Sequence, residues 1–172
     1  LIDIDCFGCP NYLFQPAIRS LSFEGIIIIS STNGRTITGH DRLSAIRHYS
    51  SSIRVSPSSL EVALRVQIFA ILKQSWILGL GLKPLISFSD GRTFRLVFQL
   101  KKNISNRDED KIGFISRCQD CYQQFITTLY KMSFFERCNC NHNFERKLIN
   151  GPLWLGELQC PLFIEELINI AE

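Results

Sequence analysis

Four isoleucines stand in a row at residues 26–29, entered from Gly25 and left through Asn33-Gly34. Such a run reads as a central strand buried on both faces, and strands of that kind belong to parallel sheets flanked by helices. Residues 1–5 form a second strand-like run that ends in Asp5, and Leu13, Ala17, Ile18 and Leu21 between the two have helical spacing. Asp41 is placed to cap a short helix through Tyr49. Strand, helix, strand, helix is the order of a doubly wound α/β sheet. Ligands of such sheets lie beyond the carboxyl ends of the strands, where Asp5 and Asn33 fall. The first residue is Leu, already inside a strand that needs a neighbour, so the chain reads as the C-terminal part of a longer protein.

Beyond this sheet the pattern changes. Residues 50–59 are rich in Ser and broken by Pro57, and they read as a boundary between residues 1–55 and residues 56–172. A long helix follows, capped by Ser58 or Ser59, with Leu60, Leu64, Ile68, Ile71 and Leu72 on one face and an end near Gly79 and Gly81. Residues 83–89 and 93–101 form a predicted hairpin about Asp90-Gly91. Residues 103–111 are polar and read as a loop, and residues 161–171 as a closing helix.

At 172 residues and 45% hydrophobic, the chain can bury one core or two small ones. A net charge of +3 excludes a polybasic tail but leaves room for a local basic surface. No apolar run approaches membrane-spanning length, and no leader pattern points to secretion. Seven cysteines, an odd number, fit a disulfide framework poorly. Reduced thiols suit the cytoplasm, or the stroma or matrix of an organelle.

Four of those cysteines come in two close pairs, Cys118-x2-Cys121 and Cys138-x-Cys140, with His142 just beyond. Thiolates at that spacing can converge on one Zn2+ as in a zinc ribbon, with Cys118, Cys121 and Cys140 joined by Cys138 or His142. All four positions would then be filled by protein, which makes the role structural. Without metal, Cys118 and Cys121 would be buried thiols or a redox pair. Arg92, Arg95, Lys101, Lys102 and Arg107 cluster on and after the hairpin, and Arg137, Arg146 and Lys147 flank the cysteines. Together they could track the phosphates of an RNA, or they could form a solvated face. Arg65 and Glu61, one helical turn apart, read as a surface pair, and Trp154 as an interdomain core anchor.

Three segments occur in order: Ile2-Asp3-Ile4-Asp5-Cys6-Phe7-Gly8-Cys9-Pro10, Glu61-Val62-Ala63-Leu64-Arg65 and Gly151-Pro152-Leu153-Trp154-Leu155-Gly156. As an ordered set they resemble the tRNA (guanine-N2)-dimethyltransferase family, which methylates guanine 26 of tRNA with S-adenosylmethionine. The resemblance covers essentially the whole chain. It implies the C-terminal part of a Rossmann-like methyltransferase domain, followed by a small tRNA-binding α+β domain with a zinc-ribbon-like cysteine cluster. It also implies that Asp5, Phe7 and Gly8 form the acceptor half of the active site, while the glycine-rich loop for the cofactor lies upstream.

The chain departs from the family pattern at three places. Cys6 stands where the family has Pro, which should loosen the loop. Ser30-Ser31-Thr32-Asn33 replaces Thr-x-Thr-Asp with the loss of a charge, and Asn143 stands where a second Cys-x2-Cys would end. Cys6, Asn33 and a cofactor loop that lies upstream favour an alternative, a noncatalytic zinc-containing RNA-binding module or an inactive methyltransferase fragment.

Overall fold

The computed structural model describes residues 1–132, 135–136, 138–140 and 147–172. Arg137, His142, Asn143 and Arg146 lie outside the described residues. The chain forms two compact units, one of Leu1–Gly34, Ala70–Asn106 and Glu157–Glu172, the other of Arg35–Phe69 and Arg107–Gly156. The two units are interleaved in sequence.

The first unit is built on β1 (Ile2–Cys6), α1 (Phe14–Ser20) and β2 (Ile26–Ser31). β1 runs parallel to β2, with Ile4 opposite Ile29 and Asp5 opposite Ser30. Ile27 and Ile29 are fully buried, but Ile26 and Ile28 are only half-buried. The isoleucine run is thus a strand of the expected kind that is fully covered on one face, not on both. α1 starts one residue later than its spacing indicates and buries Phe14, Ala17 and Ile18.

In the second unit, α2 (Gly34–Ile37), which begins at the last residue of the first, leads into α3 (Arg42–Tyr49). The Asp41 carboxylate accepts from the Ser44 amide at 3.1 Å and caps α3 as its position implies. The Ser44 hydroxyl also donates to Asp41 Oδ2 at 2.8 Å, and it and the amide hold the Asp41 pKa below the usual carboxylate range.

The Ser-rich stretch is not a free boundary. Ser51 and Ile53 are buried. Ser52 exchanges backbone hydrogen bonds with Gly151 at 2.8 and 2.9 Å, and the Arg54 amide donates to Asn150 Oδ1 at 2.6 Å. Serine side chains suited to turns conceal a backbone that pairs in extended form. α4 (Ser59–Ile77) follows as a 19-residue helix. It buries Val62, Ala63, Leu64, Val66, Ile68, Phe69, Ala70, Ile71 and Leu72, more of its circumference than a one-sided stripe. Leu60, assigned to that stripe by spacing, is 44% exposed.

The predicted hairpin is β3 (Gly81–Ser89) and β4 (Phe94–Lys101), closed by Gly91 at φ +90°. Asp90 Oδ1 accepts from the Thr93 and Arg92 amides at 2.7 and 2.9 Å, which lowers its pKa. β4 pairs antiparallel with β2, so the sheet order is β1-β2-β4-β3. The hairpin therefore completes the first sheet instead of belonging with the cysteines. Phe94, Leu96, Phe98 and Leu100 face the core, as their alternation requires.

A second, antiparallel sheet holds β5 (Ile112–Cys118), β6 (Gln124–Thr128) and β7 (Lys147–Trp154) in the order β6-β5-β7. Trp154 is buried within the second unit, with Lys111 Nζ 5.5 Å from its ring centroid. Arg65 does more than pair with Glu61 at 2.8 Å. Its Nη1 donates to the carbonyls of Trp154 at 3.1 Å and Gly156 at 2.9 Å. Arg65→Ala would leave both carbonyls without that donor. It is expected to destabilise the protein by about 2 kcal/mol in urea unfolding.

α5 (Pro161–Ala171) closes the chain. Just before it, Gln159 acts as a strand on the outer edge of β3. Its Nε2 donates to Ser87 O at 2.6 Å and its Oε1 accepts from the Ser87 amide at 3.3 Å. No helix among the described residues is long and apolar enough to cross a membrane.

Candidate active-site loop and cysteine cluster

Strand alternation decides which way Asp5 points. Ile4 and Cys6 are buried, while Asp3 and Asp5 are exposed on the other face. That face is the less covered one, since Ile28, Val97 and Ile86 beside it are half-buried. Asp5 lies opposite Ser30, and Ser30 lies opposite Arg95. Asp5 and Arg95 are thus in one cross-sheet row on one face, separated by two strand spacings or about 10 Å.

The loop after β1 is pinned to the end of β2. The Gly8 amide donates to Thr32 Oγ1 at 3.0 Å, and Ser31 Oγ donates to Gly8 O at 3.0 Å. The Asn33 amide donates to the same Ser31 hydroxyl at 3.3 Å. Gly8 sits at φ +85°, and an added Cβ would meet nothing within 4 Å. Backbone conformation, not space, is what calls for glycine there. Phe7, raised by this turn, is 97% exposed.

Cys6 does not leave the loop unsupported. It is buried, with Sγ 3.6 Å from the Tyr12 hydroxyl, 3.5 Å from Phe7 O and 3.9 Å from Cys9 O. Side-chain contacts supply part of the stiffness a proline ring would give. The hydrogen bond with Cys6, before anything else, pushes the Tyr12 pKa up.

Cys118, Cys121, Cys138 and Cys140 converge, with their sulfurs all within 4.8 Å of one another. None is in a disulfide. β5 delivers Cys118 at its end, and the turn to β6, which contains Tyr122 at φ +63°, brings Cys121 beside it. Of the two candidates for the fourth position, Cys138 joins the other three. A tetrahedral zinc with bonds near 2.3 Å would place its sulfurs about 3.8 Å apart, so small side-chain rotations would close the set around one ion.

The thiols are already differentiated. Backbone N–H groups of Cys121 and Asp120 donate to Cys118 and lower its pKa to about 7. A hydrogen bond with Cys121, aided by burial, pushes Cys140 up to about 12. Phe125 packs with Cys118 and Cys138 in one apolar cluster, and Cys140 lies against it.

The basic residues divide. Arg92, Arg95 and Lys102 are exposed. Lys101 pairs with Glu24 at 2.6 Å and Arg107 with Asp110 at 2.8 Å. Lys147 Nζ is buried, 5.0 Å from the centroid of the Phe125 ring. The link from Arg65 to the Gly151–Gly156 segment escaped sequence reasoning. Their joint presence in one ordered set of segments was the available signal.

Comparison with known proteins bears directly on these features. A solved structure of Trm1 from Pyrococcus horikoshii with S-adenosyl-L-methionine has the same fold over 99% of this chain and 43% of its own, with TM-score 0.82 and 23% identity. The tRNA (guanine(26)-N(2))-dimethyltransferase of Archaeoglobus fulgidus is 28% identical over 173 residues, 99% of this chain and 48% of that protein. The tRNA (guanine(26)-N(2)/guanine(27)-N(2))-dimethyltransferase of Aquifex aeolicus is 26% identical over 175 residues, 99% of this chain and 43% of that protein. The chain thus spans less than half the length of these relatives. The model of the N2,N2-dimethylguanosine tRNA methyltransferase family matches residues 1–172, from the Asp5 loop through the cysteine cluster to the last helix. The chain belongs to that family.

Proposed function

We propose that the full-length protein methylates the exocyclic N2 of guanine 26 in tRNA, with Asp5, Phe7 and Gly8 forming the acceptor side of the site. The observation that carries this reading is Asp5 itself, exposed at the carboxyl end of β1 and followed by a pinned loop that presents Phe7 to solvent. The fold supports it too. A parallel β1–β2 pair extended by an antiparallel hairpin is consistent with the C-terminal part of a Rossmann-like sheet.

The chemistry needs little else from this chain. S-adenosylmethionine supplies an electrophilic methyl group, and no residue of this chain is assigned to holding it. The guanine amine is a poor nucleophile because its lone pair is delocalised into the ring. Asp5 accepts a hydrogen bond from it, returns electron density to nitrogen and aims it. As the N–C bond forms and the C–S bond breaks with its electron pair on sulfur, Asp5 can take the proton the nitrogen loses. Phe7 offers a face on which a base turned out of the helix can stack. The Gly8 hydrogen bonds hold the backbone beside that ring.

The remaining roles are structural and electrostatic. Cys118, Cys121, Cys138 and Cys140 would hold one zinc that closes the end of the second sheet. Exposed Arg92, Arg95 and Lys102 would meet tRNA phosphates, so binding would weaken steeply with salt. Arg137 and Arg146 are further candidates for that contact. Seven cysteines outside disulfides suit the reducing cytoplasm, or an organellar stroma or matrix.

Methyl transfer by the full-length protein to an unmodified tRNA transcript tests the reading. Label is expected in a transcript with guanine at position 26 and not in one with adenine there. A folded, tRNA-binding protein with no transfer to either would favour the noncatalytic RNA-binding module.

A further inference from the structure

We propose that Lys147 is the charge partner of the four-cysteine cluster, so that its ammonium sets how tightly the cluster holds a divalent thiophilic cation. This rests on the zinc reading above. It concerns a residue whose place in the sequence suggests an RNA-phosphate contact instead.

Register puts Lys147 directly opposite Cys118 across the β5–β7 ladder. Residues opposite each other project from the same face, with Cβ atoms about 5 Å apart. Phe125 shares that face, since it lies opposite Ser116, two residues from Cys118. Phe125 packs with Cys118 and Cys138, and Lys147 Nζ sits over its ring. One short stretch of sheet surface therefore carries a metal-binding thiol, the ring beside it and an ammonium.

That ammonium is buried and has no hydrogen-bond partner among the described residues. Burying an unpaired charge is costly, and one aromatic face offsets only part of that cost. Four thiolates around a divalent cation carry a net charge of −2, which is the complement such an ammonium lacks. Arg117, adjacent to Cys118 in sequence, is not an equivalent partner. Alternation sends it to the opposite face, where its guanidinium carbon lies 4.8 Å from the Tyr122 ring centroid. A buried Nζ is also poorly placed to meet an RNA phosphate. Lys147 thus acts on the metal through the cluster's charge, as a positioning residue that touches neither substrate nor reacting atoms.

Zinc affinity, measured by competition with a chromophoric chelator on the full chain, tests this. Lys147→Met is expected to bind zinc about 10–100-fold more weakly. Lys147→Arg should retain most of the affinity, and Lys83→Met, which removes an exposed charge in the other compact unit, should leave it unchanged. In chelator, where no metal charge is present, Lys147→Met should be at least as heat-stable as the parent. A merely structural lysine would lower stability with and without zinc alike.

Wild-type affinity in Lys147→Met, or equal weakening in Lys83→Met, overturns the proposal. A wild-type chain that takes up no zinc would instead remove the metal reading beneath it. Should Lys147→Met fail to fold, the wild-type chain decides the matter. Acylation of the Lys147 amine, followed by mass spectrometry, must be slower with zinc than in chelator, and equal rates refute the pairing.

Discussion

Asp5→Ala in the full-length protein is expected to lower methyl transfer to tRNA by about 10²–10⁴-fold while leaving folding and tRNA binding nearly intact. The size follows from the chemistry. Without a carboxylate to accept its hydrogen bond, the guanine amine keeps its lone pair in the ring and loses the group that aims it. The small effect on folding follows from the structure. The Asp5 side chain is exposed and has no hydrogen-bond or ion-pair partner among the described residues, and substitutions at such positions stay within about 0.5 kcal/mol. Asp5→Asn, which keeps an acceptor oxygen but no charge, should fall between Ala and the parent. Single-turnover assays at saturating tRNA separate the chemical step from binding. An Asp5→Ala enzyme with parental turnover would end the catalytic assignment, whatever the fate of the metal.

Loss of the metal should be equally plain in the second unit. The chain is expected to carry one zinc, and Cys118→Ser to lower zinc affinity by at least the 10–100-fold that removing an outer partner of a metal ligand costs. Metal content by mass spectrometry, read beside thermal unfolding with and without chelator, measures both effects. Zinc binding is coupled to folding, because a preformed site does not exist in the unfolded chain. Chelator should therefore lower the unfolding temperature of the parent and leave that of Cys118→Ser little changed. The position of Cys118 explains why this thiol matters most. It ends β5, the middle strand of the β6-β5-β7 sheet, and is buried against Phe125 and Cys138. A chain that holds no zinc and keeps its stability in chelator would reduce the cluster to four thiols without a metal, two of them buried. Activity and metal content can fail separately, since Asp5 and the cluster belong to different compact units.

Much of the molecule was legible in residue types. The isoleucine run, the Asp90-Gly91 turn, the Asp41 cap and each of the two cysteine pairs act over a few residues, where side-chain pattern and backbone preference coincide. The proposed acceptor loop is local in the same way: Asp5, Phe7 and Gly8 are consecutive or nearly so, and in the structure strand alternation leaves the Asp5 carboxylate on the exposed face. The strands of the second sheet were not readable. β7 contains Gly151-Pro152, a pair that reads as a turn, and β6 is only five residues long. The serines at 50–59 concealed a segment that pairs through its backbone with Gly151.

Residue order in the chain thus encodes the local pieces and the chemistry of each motif. It does not encode which distant pieces pair. That the hairpin joins the first sheet, that Arg65 reaches the carbonyls of Trp154 and Gly156, that Cys138 stands with the other three thiols and that Lys147 lies opposite Cys118 were all settled by long-range packing. The reason is physical. Such contacts depend on burial and backbone hydrogen bonding between segments tens of residues apart, and no local period records them.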